Sequence, residues 1–403
     1  MGASGTARMK NTPHPIREVL VIGAGPAGSS AAMRLHADGF QVSWVDAAQF
    51  PRDKVCGCCL NLAALTALAG LDCDRRVRAL VPQELNAWHL TASGRSIHAP
   101  LPGGLALSRS LFDITLIEEA RSRGLELRTG VRAKVVSVTD SEVLVHLSGE
   151  TDTPRRFDAV ILATGLAGGG VANWLPWVVE PHGPMGATVL VDDLAGVAGG
   201  TIRMVCGPDG YVGLVRLEDG RVDVAGALRP QRQPHAHSEM VSSTASDAIA
   251  PAPSPPRPLA AKLAVLGQIN AILRTANLGP LPDSLAGKLM VTPPLRRSRR
   301  CGQGRLLAVG DAAGYVEPFT GEGMAWAIRT GIEAASCVAQ HRDSQDLGAA
   351  WRRRYAELMR SRQWLCRALS QGLQTPRRAR LLVGAMSLAP WAVRRAVQRL
   401  NRG

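Results

Sequence analysis

Aromatic side chains are scarce in this chain: Phe, Tyr and Trp together make up 4% of 403 residues. The scarcity matters because the formal net charge is +14. A basic protein that grips nucleic acid is expected to interleave its cations with aromatic stacking platforms around a cleft. Here the charge is also confined. From Trp351 onward there are thirteen arginines and a single acid, Glu357, and the rest of the chain is close to neutral. Nucleic acid is therefore excluded as a partner. No apolar run approaches the length of a membrane span. The opening stretch MGASGTARMKNTPHP has no apolar core of signal-peptide length, and Gly2-Ala-Ser-Gly-Thr is a poor myristoylation signal. Residues 1–15 are expected to be a disordered leader. Eight cysteines without a paired framework or an export signal place the chain in a reducing cytoplasm.

What is present begins with a βαβ unit. Glu18 to Ile22 is a short β-branched run that stops at glycines, Ser29 to His36 continues with helix formers, and Phe40 to Val45 gives a second strand ending at Asp46. Leu111 to Arg123 reads as a helix, and Asp158 to Ala163 as a buried strand because it is apolar without alternation. From Gly186 to Arg229 the texture changes to alternating segments punctuated by glycine, the pattern of an antiparallel sheet. Gln231 to Pro258 is rich in Pro, Ser, Ala and His and is expected to be a mobile loop. Leu306 to Val309 returns to the buried-strand pattern, and Glu322 to Gln340 is helical. The expected class is α/β, with a discontinuous Rossmann-like domain (16–80, 105–170 and 295–343). An antiparallel sheet domain (81–104 and 171–294) is inserted in it, and a basic helical tail (344–403) follows.

Gly23-Ala-Gly25-Pro26-Ala27-Gly28 follows a strand and opens a helix, with Asp46 closing the next strand. That is the full dinucleotide fingerprint in context. Gly23 permits the turn, Gly25 lets the backbone reach a pyrophosphate, and Gly28 allows close helix–sheet packing. The helix N-terminus supplies the positive dipole end, and Asp46 is placed to accept from a ribose hydroxyl.

Near the other end, Arg305-Leu-Leu-Ala-Val-Gly310-Asp311-Ala-Ala-Gly314 precedes Glu317-Pro-Phe-Thr-Gly321-Glu-Gly323-Met324. Together with Ala163-Thr164-Gly165 and Leu107-Ser-Arg109-Ser-Leu-Phe112-Asp113, these resemble the flavin signatures of the para-hydroxybenzoate hydroxylase fold, in order from about Val19 to about Ala334. The resemblance implies FAD, with Asp311 accepting from a ribityl hydroxyl and Arg109 beside the ribityl-pyrophosphate side. The backbone of the Gly321–Met324 turn would then face the flavin N1/C2 carbonyl, where negative charge builds on reduction.

Phe50-Pro-Arg-Asp-Lys54-Val-Cys56-Gly57, with Pro318-Phe-Thr-Gly-Glu322-Gly-Met-Ala, is similar to the geranylgeranyl reductase group of that fold, whose segment after the second strand passes along the flavin ring. The resemblance carries over to Cys56 as proton donor, nucleophile or polar wall. Cys58 and Cys59 stand where that group usually has glycine. A Cys56-x-x-Cys59 redox pair is an alternative reading, and a metal site lacks further ligands at suitable spacing.

Reduction of a carbon–carbon double bond in a lipid-like or polyketide-like molecule is the expected reaction. The alternatives are an FAD-dependent monooxygenase or, further off, a halogenase on an aromatic or polyketide substrate, or a flavin electron carrier. Leu166-Ala-Gly-Gly-Gly170 lacks the Asp-Gly of hydroxylases, and Trp174-Leu-Pro-Trp177 does not satisfy the halogenase signature. No second fingerprint appears, so electrons would come from transiently docked NAD(P)H or from a separate reductase. For the tail three readings stand: a helical cap, a face for anionic lipid that makes the protein peripheral at the inner side of the membrane, or a dock for an acidic carrier protein.

Overall fold

A computed structural model describes residues 14–167, 170–229, 257–316, 321–373 and 376–388, together with 391, 395, 397 and 398. Most of the expected leader, the expected loop at 231–258 but for its last two residues, and Glu317 to Thr320 of the second flavin signature lie outside the described residues.

The first body is a six-stranded sheet ordered Gly302–Gln303, Leu306–Ala308, Ala159–Leu162, Glu18–Ile22, Gln41–Asp46 and Leu127–Thr129. Its inner strands pair in parallel. Val19, Leu20, Val21 and the whole of Ala159–Leu162 are buried, as the unbroken apolar runs require of strands covered on both faces. The helices Pro26–Ala37 and Gly323–Gln340 lie against each other so closely that a Cβ on Gly331 would sit 2.2 Å from the Ala27 carbonyl oxygen. The helix read from Leu111 starts earlier, at Arg109. Ser108 caps it by accepting the Leu111 N–H at 3.4 Å.

The second body is a seven-stranded sheet built mainly from Met185–Val191, Thr201–Gly207, Gly210–Arg216 and Val222–Leu228 in antiparallel pairs. Strand Ala87–Ala92 joins it in parallel beside Thr201–Gly207 and carries Arg95–Pro100 on its outer edge. One face, with Val189, Val212, Val222 and Val224, packs on helix Arg257–Arg274 through Leu266, Ile269 and Leu273. The opposite face looks toward the first body, and the space between the two is the site.

The tail is helical over Leu347–Leu373 and Pro376–Leu388. Trp351 is fully buried and donates its indole N–H to the Ala308 carbonyl at 2.9 Å. Val383 and Met386 pack on the edge strands of the seven-stranded sheet. Leu365 and Leu369 have side chains outside the described set.

Candidate active site

A cavity of about 1560 Å³ runs between the two sheets. At one end it is built by the fingerprint. Gly23 has φ +113°, and a Cβ there would meet the Ala163 carbonyl oxygen at 2.4 Å. A Cβ on Gly28 would meet the Gly23 carbonyl oxygen at 1.9 Å. Both positions are closed to any side chain. Gly25 differs: a Cβ there meets only the Arg109 Nη2 at 3.7 Å, and the residue fronts the cavity with Pro26 and Ala27. No side chain caps helix Pro26–Ala37, so its first-turn N–H groups are left for a ligand. Trp44 donates its indole N–H to the Gly23 carbonyl at 3.0 Å and locks the turn.

Asp46 lines the same end and is 8% exposed. Its Oδ2 accepts the Ala24 N–H at 2.6 Å and its Oδ1 the Ala48 N–H at 2.8 Å. The carboxylate therefore shapes two loops where it fronts the cavity. Arg52 Nε, Asn61 Nδ2 and Thr164 Oγ1 line the cavity, are buried and have no protein partner. Orphaned donors and acceptors along a groove, beside glycines too tightly packed for substitution, fit a long polar ligand such as FAD.

Midway along, Asp311 lines the cavity, and burial pushes its carboxyl up against the pull of Lys54 and Arg109. Gly310 lies behind it and donates its N–H to the Thr330 hydroxyl at 2.8 Å. Burial and then the Arg109 guanidinium push the Lys54 ammonium down. Arg109 is no surface ion pair: it is 8% exposed and held by two 2.9 Å hydrogen bonds to Asp113, which is fully buried. Lys54 is brought beside Arg109 and Asp311 only in three dimensions, and no local pattern marks it.

The three cysteines are free thiols at the junction of the two bodies. The segment is fastened by antiparallel pairing of Cys59–Asn61 with Gly104–Ala106. Cys56 is half-buried and lines the cavity. Its Sγ accepts the Cys58 N–H at 3.4 Å. Cys58 beside it, joined by the Arg109 charge, holds the Cys56 thiol down to about 6 against the opposing push of burial, while the Cys58 thiol itself donates to the Cys56 carbonyl at 3.9 Å. Cys58 goes the other way: its hydrogen bond to Cys56 and burial push its thiol far up. Burial likewise pushes the Cys59 thiol up. Of the three sulfurs, Cys56 alone is shifted toward the thiolate.

Gly321, Gly323 and Met324 line the far wall at the start of helix Gly323–Gln340. Glu322 turns away from the cavity. It is 1% exposed and ion-pairs with Arg362 of the tail at 3.2 Å, with the Cys366 thiol 3.6 Å from its other oxygen. The glycine turn is therefore pinned from behind by the tail. Beyond it the cavity becomes apolar, walled by Leu90, Met204 and Leu214 of the seven-stranded sheet and by Met386 and Val397 of the tail.

The family model described as pyridine nucleotide-disulphide oxidoreductase matches residues 17–170. The menaquinone reductase of Mycolicibacterium smegmatis is 28% identical over 362 residues, which covers 83% of this chain and 79% of that protein. Digeranylgeranylglycerophospholipid reductase 2 of Methanosphaera stadtmanae is 22% identical over 344 residues, with 80% and 78% covered. Among solved structures, the flavin-dependent brominase Bmp2 matches with a TM-score of 0.71 at 15% identity, covering 95% of this chain and 93% of that one. The fold is the Rossmann-like FAD-binding fold of these flavoproteins.

Proposed function

The chain is an FAD-dependent oxidoreductase, and we propose that it reduces a carbon–carbon double bond in a lipid-like or polyketide-like substrate. The observation that carries this reading is the division of one cavity into a polar, glycine-built end and an apolar end, with Cys56 at the seam. Bound FAD would supply the hydride. Gly25, Asp46 and Asp311, which line the polar end, would hold it, and the apolar walls would exclude water and align a hydrocarbon substrate. Cys56 carries a sulfur able to hold a proton where the substrate would meet the flavin ring. Both curated relatives are named as reductases, of menaquinone and of a digeranylgeranylglycerophospholipid, which supports the same chemical class here. Electrons would come from NAD(P)H docking transiently or from a separate reductase.

The substrate class gives the tail a task. Trp364, Leu381, Leu388 and Trp391 are 63–87% exposed on a segment that carries most of the protein's net charge. The inner side of the same segment walls the cavity through Met386 and Val397. A surface of exposed apolar groups among arginines suits an anionic bilayer. Among the described residues no helix is long and apolar enough to cross one.

Photoreduced holoenzyme mixed with polyprenyl alkenes and quinones tests the reading. Anaerobic reoxidation with a saturated product supports it. Reoxidation that needs air and yields a hydroxylated or halogenated product establishes the oxygen-using alternative instead, and indifference to every substrate leaves an electron carrier.

A further inference from the structure

Gly213 is the middle residue of Gly210–Arg216, the fourth of the seven strands, yet it is only half-buried and lines the cavity. A glycine inside a strand forfeits side-chain packing and costs backbone order, and it marks a bulge, a close approach of another backbone, or a close approach of a ligand. The first two do not apply here. Pairing with both neighbouring strands runs through Gly213 in regular register. Its φ is not left-handed, unlike that of Gly210 at +138°. A Cβ on Gly213 would meet the Ala225 carbonyl oxygen at an ordinary 3.6 Å, and its one tight contact, at 3.0 Å, is with Met204 Sδ near the end of a flexible side chain. Gly226 on the next strand differs, since a Cβ there would come within 3.0 Å of the Tyr211 carbonyl oxygen. What the missing side chain of Gly213 leaves open is cavity.

Its position gives that opening a direction. Tyr211, Gly213 and Val215 share one face of the strand. Val215 packs in a cluster with Cys58 and Cys56, whereas Tyr211 packs in a cluster with Val383 and Met386 of the tail. Across the sheet Gly213 stands between Ala225 and Met204. One row nearer the cysteines the floor is filled: Val215 stands opposite Asp223, whose carboxyl is 1% exposed and accepts a 2.7 Å hydrogen bond from the Thr188 hydroxyl. A chain that starts beside Cys56 and runs toward Met386 therefore passes over Gly213, where the floor drops.

We propose that Gly213 is a specificity-determining residue, and that the space in front of it is the passage along which an extended hydrocarbon chain continues from the reacting double bond toward the tail. A short chain ends before the passage and is indifferent to it. A longer one fills it, and each further methylene buried there adds to affinity. The inference rests on the reading of the apolar end as the substrate's.

The test is a chain-length series on the FAD-loaded protein, with geraniol and geranylgeraniol as probes and binding read from the perturbation of the oxidised flavin spectrum. Gly213→Val places a β-branched side chain in the passage on a strand that accommodates it. Geranylgeraniol affinity is expected to fall by about tenfold or more, with geraniol affinity changed by less than about twofold. Ala225→Leu fills the same space from the partner strand, without a new Cβ, and is expected to give the same split should Gly213→Val fail to fold. FAD content and melting temperature should match the wild type in a folded variant. Equal losses for the two probes, or no loss for either, overturn the inference. A length split in binding with no alkene reduced keeps Gly213 and removes the reductase reading; alkene reduction with one length preference in the wild type and both variants does the reverse.

Discussion

Asp46 is the residue on which the cofactor end of the cavity turns, because its two oxygens organise the loops at Ala24 and Ala48. Asp46→Ala leaves both N–H donors unpaired, at about 1–3 kcal/mol each where they are buried. The variant is expected to purify largely colourless, with FAD content read by absorbance after denaturation. Asp223 makes the opposite prediction. Burial raises its carboxyl from the ordinary 3.8 to about 8, so its favourable contribution is complete below the ordinary value and is lost as pH rises through that window. The loss runs at about 1.4 kcal/mol per pH unit. Asp223→Asn should match the wild type in melting temperature near pH 4 and exceed it at pH 8.5; equal melting temperatures at both would contradict the burial. These two aspartates also mark what a sequence can disclose. The place of Asp46 at the cavity was legible because an acid that closes the strand after a glycine turn stands at a set distance along the chain. Asp223 was not, because the burial that raises its carboxyl comes from packing that no local pattern in the chain records.

The elements were legible wherever local pattern decides them. The strand Ala159–Leu162 announces itself by unbroken burial and the helix Pro26–Ala37 by the glycines that precede it. The tail was legible as helical but not in its attachment, since an ion pair between Arg362 and a buried Glu322 leaves no periodic trace. Arg362→Ala takes the ion-pair partner from a carboxylate that is 1% exposed, and losing one partner of a buried pair costs about 3 kcal/mol. Thermal melts should show that loss together with faster FAD release, because the pair backs the Gly321–Met324 turn. Arg362→Lys should recover part of both. Unchanged FAD release in a destabilised Arg362→Ala would mean that the tail supports the fold without touching the cofactor turn.

At the scale of the whole molecule, the polar half of the cavity was readable from four ordered motifs. The apolar half was not, since its walls come from alternate residues of a sheet and from one side of a tail helix. The same tail sets the prediction for location. Wild-type protein should bind anionic vesicles at low salt and release them as salt rises, each arginine near the surface contributing about 1 kcal/mol. Reversing Arg394, Arg395 and Arg399 should abolish binding, and reversing the exposed Arg395 alone should weaken it. Indifference to vesicles, with capture of an acidic carrier protein instead, would reassign the surface. The central claim is the reaction itself. It is tested most directly by reducing the holoenzyme under argon in deuterated water, adding one equivalent of a polyprenyl quinone, and following flavin absorbance and product mass together. Reoxidation without oxygen, with a product that has gained two carbon-bound deuterium atoms across one side-chain double bond and keeps both after exchange back into light water, is the predicted result. A flavin that stays reduced until air is admitted, and a product that has gained oxygen, would contradict it.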